Sequence, residues 1–245
     1  QISYHLIDIC EAGTKYLLPD FQRDFRTVFE EIQKKGKTPI LCGGTGLYLE
    51  AVLENHQLTA IPEDEKIRKS TEGKSHEELL NVLQQHNTNK NFNPDISTRK
   101  RTIRAIEIST FLSENKIVEV KPLDFKPIIF GLDISRELRR DKISKRLQER
   151  LQNGMIEEVQ SLLNDGIPAE ELIYYGLEYK FVTEYLLGEL TLSEMTQKLE
   201  VGIHQFAKRQ MTWFRRMEKK GHQIHWINAE LGIDEKLQLI KRSIK

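Results

Sequence analysis

Gly43-Gly44-Thr45-Gly46 stands where the character of the sequence changes abruptly, and its residue types are suited to holding an anion. Before it, residues 38–42 (TPILC) form a short apolar run of the kind that makes a strand buried on both faces. After it, Leu47 and the apolar residues of 49–53 open a helix. The carboxyl end of a strand meeting the amino end of a helix is where ligands collect in open α/β sheets. Glycines admit close backbone approach, free N–H groups and the helix dipole favour negative charge, and the Thr45 hydroxyl both donates and accepts. The alternative for the same four residues is a tight strand-to-helix turn with no ligand.

Two cationic stretches supply further candidates. Arg99, Lys100, Arg101 and Arg104 crowd the first turns of a helical run with no acid beside them in sequence, so they oppose the macrodipole and an external anion is expected to compensate. The alternative is a solvated face of fanned side chains. Later, residues 193–220 carry Leu199, Ile203, Phe206, Gln210, Trp213 and Met217 on one helical stripe, with Lys208, Arg209, Arg215, Arg216, Lys219 and Lys220 on the rest. A helix of this kind can lie against RNA phosphate. Trp213 or Phe214 can stack on an exposed base, worth about 1–3 kcal/mol per base, although the place of Trp213 on the apolar stripe favours the core.

The elements that must position these residues follow from patterning. Residues 1–9 read as a strand or extended lead-in. Residues 18–35 place Phe21, Phe25, Val28, Phe29 and Ile32 at helical spacing, with Pro19 and Asp20 at the start and Gly36 at the end. Residues 1–54 thus amount to a β-α-β-α piece of a parallel sheet. Residues 55–125 turn polar and helical, an insertion outside the sheet: short helices at 61–68 and 75–86, the latter with a Ser75/Glu78 capping box, an Asn-rich loop over 86–94, and a helix over 95–112. Residues 126–134 return to the sheet as a strand. Helices follow over 136–153 (capped by Ser135 and ended by Gly154), 155–163, 170–187 and 193–220, then a strand over 222–227 and a closing helix over 234–245. The predicted division is a core of 1–54 and 126–245 around an insertion of 55–125.

Composition narrows the classes. With 245 residues and 38% hydrophobic content the chain buries a core as one large domain, or one domain with an insertion. A formal net charge of +0 argues against a uniformly basic nucleic-acid binder but leaves room for local basic patches. No apolar run approaches the ~20 residues of a membrane span and no charged-then-apolar leader opens the chain, so a cytoplasmic protein without membrane contact is expected. Cys10 and Cys42 are the two cysteines, with no CxxC pair, and are expected to be buried reduced thiols rather than a disulfide or zinc site.

GGTGLY after PILC, with His5-Leu6-Ile7-Asp8 and Asp20-Phe21 before it, residues 101–107 (RTIRAIE) after it and residues 205–215 (QFAKRQMTWFR) near the end, resembles the tRNA dimethylallyltransferases. The resemblance spans nearly the whole chain. It implies a phosphate-loop-NTPase-like parallel sheet core with a mainly helical insertion, a helix-rich α/β fold. The implied reaction moves a dimethylallyl group from dimethylallyl diphosphate to the N6 amine of the adenosine just 3′ of the anticodon in tRNA. The partners so implied are dimethylallyl diphosphate and the tRNA anticodon stem-loop, the protein acting as a monomer, with Mg²⁺ assisting diphosphate departure through ligands that the sequence does not identify. The resemblance assigns catalytic roles to Thr45 and Arg146 and donor-diphosphate binding to Gly43, Gly44 and Arg146. It assigns tRNA contact to Thr45, Arg68, Lys100, Arg101, Thr102, Arg104, His204, Gln205, Lys208, Arg209 and Gln210.

Some positions depart from that family's pattern. Ile173 stands where an arginine is usual, Leu177 where an aromatic is usual, and His204 where an arginine is usual. No GxxxxGK[ST] phosphate loop occurs, and the loop and the family's aspartate base are expected upstream of Gln1, which predicts exposed apolar surface on the sheet. A catalytically incomplete tRNA-binding fragment is therefore one alternative. Another is a small-molecule kinase of the same nucleotide-binding fold class, ATP included, though a small substrate has no need of so wide a cationic surface.

Overall fold

The computed structural model describes residues 2–86, 92–115 and 120–244. Eleven α-helices and two short strands are seen among them. The first helix, α1 (Leu18–Lys34), begins where Asp20 Oδ2 accepts from the Leu17 amide at 3.0 Å. Its aromatic stripe is continuous: Phe21, Phe25 and Phe29 follow one another at ring separations of 5.9 and 5.8 Å. Phe21 also meets Tyr48 of α2 (Gly46–Leu53) at 4.8 Å. Gln22 ties the two helices further, its amide donating to Ala51 O at 3.1 Å and His56 O at 2.9 Å.

A single 3-10 turn (Leu58–Ala60) leads to α3 (Glu65–Ser70), α4 (His76–His86) and α5 (Arg99–Glu114). The predicted capping box is present: Ser75 N donates to Glu78 Oε2 at 2.6 Å and Glu78 N to Ser75 Oγ at 3.2 Å. Leu79, Leu83, Ala105 and Ile106 form a small core between α4 and α5. Helix α5 starts four residues later than the sequence pattern suggests, because Thr98, and not Asp95, takes the capping position by accepting from Arg101 N at 3.3 Å. Most of the predicted Asn-rich loop, residues 87–91, lies outside the described residues.

Strand β1 (Ile129–Asp133) pairs in parallel with β2 (Ile224–Asn228), Gly131 opposite Trp226. The long crossover between them holds α6 (Arg136–Gln152), α7 (Met155–Asn164), α8 (Ala169–Tyr174), α9 (Leu177–Leu186) and α10 (Leu192–Lys219). Their inward residues Leu147, Met155, Val159, Leu172, Val182, Met195 and Leu199 form the larger core. Helix α10 opens with a Thr191/Glu194 capping box. Helix α11 (Ile233–Ile244) closes the chain.

Several expectations are corrected here. The helix predicted over 170–187 is two helices, because Gly176 adopts φ 138 and ψ −169, outside helical space. Residues 2–9 form no strand: Leu6 and Asp8 have φ of 60 and 50, which turns the backbone out of an extended path. Residues 38–42 are irregular as well, and Ile40 is 82% exposed rather than buried on both faces. A parallel strand is held by ladders to its neighbours, and β1 and β2 bond only to each other in the described sheet. The fold is a helix-rich α/β arrangement around a small parallel sheet. Cys10 and Cys42 are both exposed, not buried.

Candidate active site

The glycine turn and α10 come together. Gln210 Nε2 donates to Gly44 O at 3.0 Å, and one helical turn further Trp213 lies against Gly46. The fit is close: a Cβ on Gly44 would stand 2.5 Å from Nε2 at the movable end of Gln210, and one on Gly46 2.3 Å from Trp213 Cδ1. The fourth residue of the turn is therefore glycine because the indole of α10 lies on it. Gly43, by contrast, faces open space. Thr45 is the N-cap of α2, yet its side chain makes no capping bond and is exposed. The result is an uncapped helix amino end with a free hydroxyl beside it, which suits an anion.

Farther along, α2 and the last turns of α10 run side by side in the same direction, joined by charge. Glu50, 0% exposed, accepts from Arg216 Nη2 at 2.7 Å and from Lys220 Nζ. Lys220 also reaches both oxygens of Glu54, at 3.0 and 3.1 Å, and His56 and His222 approach the same carboxylate at 3.1 and 3.2 Å. Burial pushes Glu54 upward, but the bonds from His56, Lys220 and His222 outweigh it and hold its pKa down to about 2. Chiefly through its bond to Glu50, Lys220 is held above the usual lysine range. The Arg216 guanidinium lies 4.1 Å over the Trp213 ring. The indole N–H of Trp213 is buried and without a hydrogen-bond partner among the described residues.

Two of the cations at the start of α5, Arg101 and Arg104, have acids beside them, contrary to the sequence expectation. Glu107, buried on the same helix, accepts from Arg68 Nε at 2.7 Å, Arg104 Nη1 at 3.0 Å and the Asp64 amide at 3.2 Å. Arg104 further donates to Pro62 O at 3.0 Å and to Ile61 O. Arg99 donates to Lys74 O at 3.1 Å and Thr71 O at 2.7 Å, and Arg101 pairs with Asp95 at 2.8 Å. Within 99–104 Lys100 makes no ion pair among the described residues. Thr102 is fully buried and bonded to His76 Nε2 at 3.0 Å and Thr98 O at 3.2 Å. It presents no surface to a ligand.

On α10, Gln205, Lys208 and Arg209 are exposed, Arg209 lying 5.9 Å over the Phe206 ring. Phe206 itself is 40% exposed rather than part of the core stripe. His204 lies 3.7 Å from Glu200, whose Oε1 also accepts from Ser144 Oγ. Arg146 lines a cavity of about 300 Å³ with Glu149, Arg150, Asn153, Met155 and Glu158, so that two arginines and two carboxylates share its wall, and none of the glycine-turn residues lines it. Tyr179 donates to Glu158 there at 2.6 Å, and that bond together with burial pushes the phenol up to about 12.

Sequence patterning missed Glu50 and Glu107. The signal was present: Glu50/Glu54 and Arg216/Lys220 are both i,i+4 pairs, and Arg104/Glu107 is an i,i+3 pair. Without the fold, nothing set the first two pairs opposite each other.

A basic helix thus clasps a glycine turn on a helix-rich α/β frame with a small parallel sheet. The family model for IPP transferase matches residues 1–217. The tRNA dimethylallyltransferase 2 of Bacteroides fragilis is 50% identical over 245 residues, covering 100% of this chain and 80% of that protein. The tRNA dimethylallyltransferase 1 of Parabacteroides distasonis is 49% identical over 244 residues, covering 99% and 78%. Among solved structures, the full-length tRNA isopentenylpyrophosphate transferase of Bacillus halodurans superposes with a TM-score of 0.66 at 27% identity, covering 98% of this chain and 76% of that one. A eukaryotic dimethylallyltransferase acting on tRNA shares the fold with a TM-score of 0.71 at 18% identity, over 98% and 65%. The chain belongs to the IPP transferase family. Among the described residues no helix is long and apolar enough to cross a membrane.

Proposed function

We propose that the protein is a tRNA dimethylallyltransferase. The bond between the allylic carbon of dimethylallyl diphosphate and its bridging oxygen breaks, the electron pair leaving with diphosphate. The N6 amine of the adenosine 3′ of the anticodon bonds to that carbon and loses a proton. The observation that carries this reading is the clasp of α10 on the glycine turn, which sets an anion-favouring helix end beside exposed cations. At the turn, the Gly43 backbone, with Gly44 beside it, and the Thr45 hydroxyl supply fixed dipoles for the charge that develops as diphosphate departs. The adenine must leave its stack to reach the same place.

Lys100, Gln205, Lys208 and Arg209 offer exposed donors for backbone phosphate, which fixes register without reading sequence. Residues 55–125 act in this reading as the tRNA-gripping insertion on a phosphate-loop-type core. Arg146 is assigned to the diphosphate on the resemblance alone. The Mg²⁺ that the resemblance implies has no evident seat here. Among the described residues no three His, Cys, Asp or Glu side chains lie together as ligands, and Glu50 and Glu54 are held by cations.

The test is one reaction: protein, dimethylallyl diphosphate, Mg²⁺ and unmodified tRNA, with nucleosides identified by mass spectrometry after digestion. One added isopentenyl unit on adenosine, lost in Thr45→Ala, is the expected result. Salt-sensitive tRNA binding with no transfer would reduce the protein to an RNA-gripping role. Neither transfer nor binding would overturn the proposal.

A further inference from the structure

We infer that Glu50 is a positioning residue for the transfer: it holds Arg216 against Trp213 and, through that stack, fixes the amino end of α2. The inference rests on the reading of the glycine turn as the reaction site. Glu50 lies one helical turn beyond Gly46, and its side chain is 1% exposed. Both carboxylate oxygens are taken, one by Arg216 at 2.7 Å and the other by Lys220. Packing alone does not call for such a group, since a buried ion pair is often matched in stability by apolar side chains of similar volume. What a carboxylate adds is direction, because its one bond to Nη2 tethers that end of the Arg216 guanidinium.

The guanidinium carbon lies 4.1 Å from the centroid of the Trp213 ring, over its face. No hydrogen bond sets the rotation of the indole, whose N–H has no partner among the described residues. The ring is placed by the Arg216 guanidinium over its face and by the Gly46 backbone against its Cγ and Cδ1 atoms. Gly46 is the first residue of α2, so the line Glu50, Arg216, Trp213, Gly46 returns to the helix on which it began. Release of Arg216 frees the indole and loosens the turn that carries Thr45, and a small misplacement of reacting groups is costly to rate.

The experiment uses a Trp226→Phe background, in which Trp213 is the sole remaining tryptophan. Emission maximum, melting temperature, kcat and the KM for tRNA are measured for the parent, Glu50→Gln, and the double variant Glu50→Met with Arg216→Met. In Glu50→Gln the Trp213 emission shifts and kcat falls about tenfold, while the KM for tRNA stays within about twofold. The double variant leaves no buried charge unpaired by Arg216, so it regains the parent's melting temperature while kcat stays low. Recovery of both stability and kcat in the double variant would reduce Glu50 to packing and overturn the inference. So would a Glu50→Gln protein with the parent's kcat. A parent that transfers nothing overturns the reading of the reaction, and the role of Glu50 in it. An unshifted emission in Glu50→Gln overturns the geometric step alone, so the two failures are told apart.

Discussion

Trp213 Cδ1 lies 2.3 Å from the point where a Cβ on Gly46 would stand, so the indole occupies the space that any larger residue at 46 would need. Gly46→Ala must displace a ring held under Arg216, and overpacking of this kind costs about 1–3 kcal/mol. At Gly44 the obstructing atom is the far end of a flexible glutamine, which can swing away. Urea unfolding is expected to rank Gly46→Ala well below Gly44→Ala, and Gly46→Ala to recover stability when combined with Trp213→Leu. Equal losses at the two glycines would show that α10 does not lie on the turn as described.

Glu107 joins Arg68, Arg104 and the Asp64 amide across α3 and α5. Removing one partner of a buried pair costs about 3–5 kcal/mol, and the partial exposure of both arginines puts Glu107→Gln at the lower end of that range. Denaturant unfolding measures it. A change within error would mean that water replaces the carboxylate.

The grip on tRNA separates exposed cations from those already used inside the protein. Lys100→Ala and Lys208→Ala should each weaken binding of all tRNAs alike and lower the slope of log affinity against log salt by about 1. Thr102→Val, at a buried site bonded to His76, should lower stability and leave the salt slope untouched. A filter-binding series from low to moderate salt decides between them.

Glu54 sets a pH dependence whose sign follows from its lowered pKa. In the folded protein the carboxyl titrates near 2, below its ordinary value of 4.5. The stability it contributes is fully present above 4.5 and is lost as pH falls from there toward 2. Melting temperature should therefore decline more steeply over that window in the native protein than in Glu54→Gln. Parallel profiles would show that the His56, Lys220 and His222 contacts do not persist in solution.

Helix positions were legible because a helix carries its own evidence: a 3.6-residue apolar stripe such as Phe21, Phe25 and Phe29, and local caps such as Ser75/Glu78 and Ser135. The strands of residues 129–133 and 224–228 were legible as short apolar runs, and each has the other to bond. Residues 38–42 were misread because an apolar run states only what it would bury, whereas a strand also requires a neighbour to bond. The charges on α5 were misread because periodicity locates Arg99, Arg101 and Arg104 on a helix but not the carbonyls and carboxylates that the fold brings to them.

By itself, then, the sequence determined most of the helices, the Ser75/Glu78 and Ser135 caps, the glycine turn and the basic character of α10, since each depends on residues a few positions apart. Tertiary structure alone decided that Gln210 and Trp213 close on Gly44 and Gly46 and that Glu50 is buried between Arg216 and Lys220. Those contacts join residues more than 160 positions apart, and no local pattern encodes which distant side chain will fill a given space.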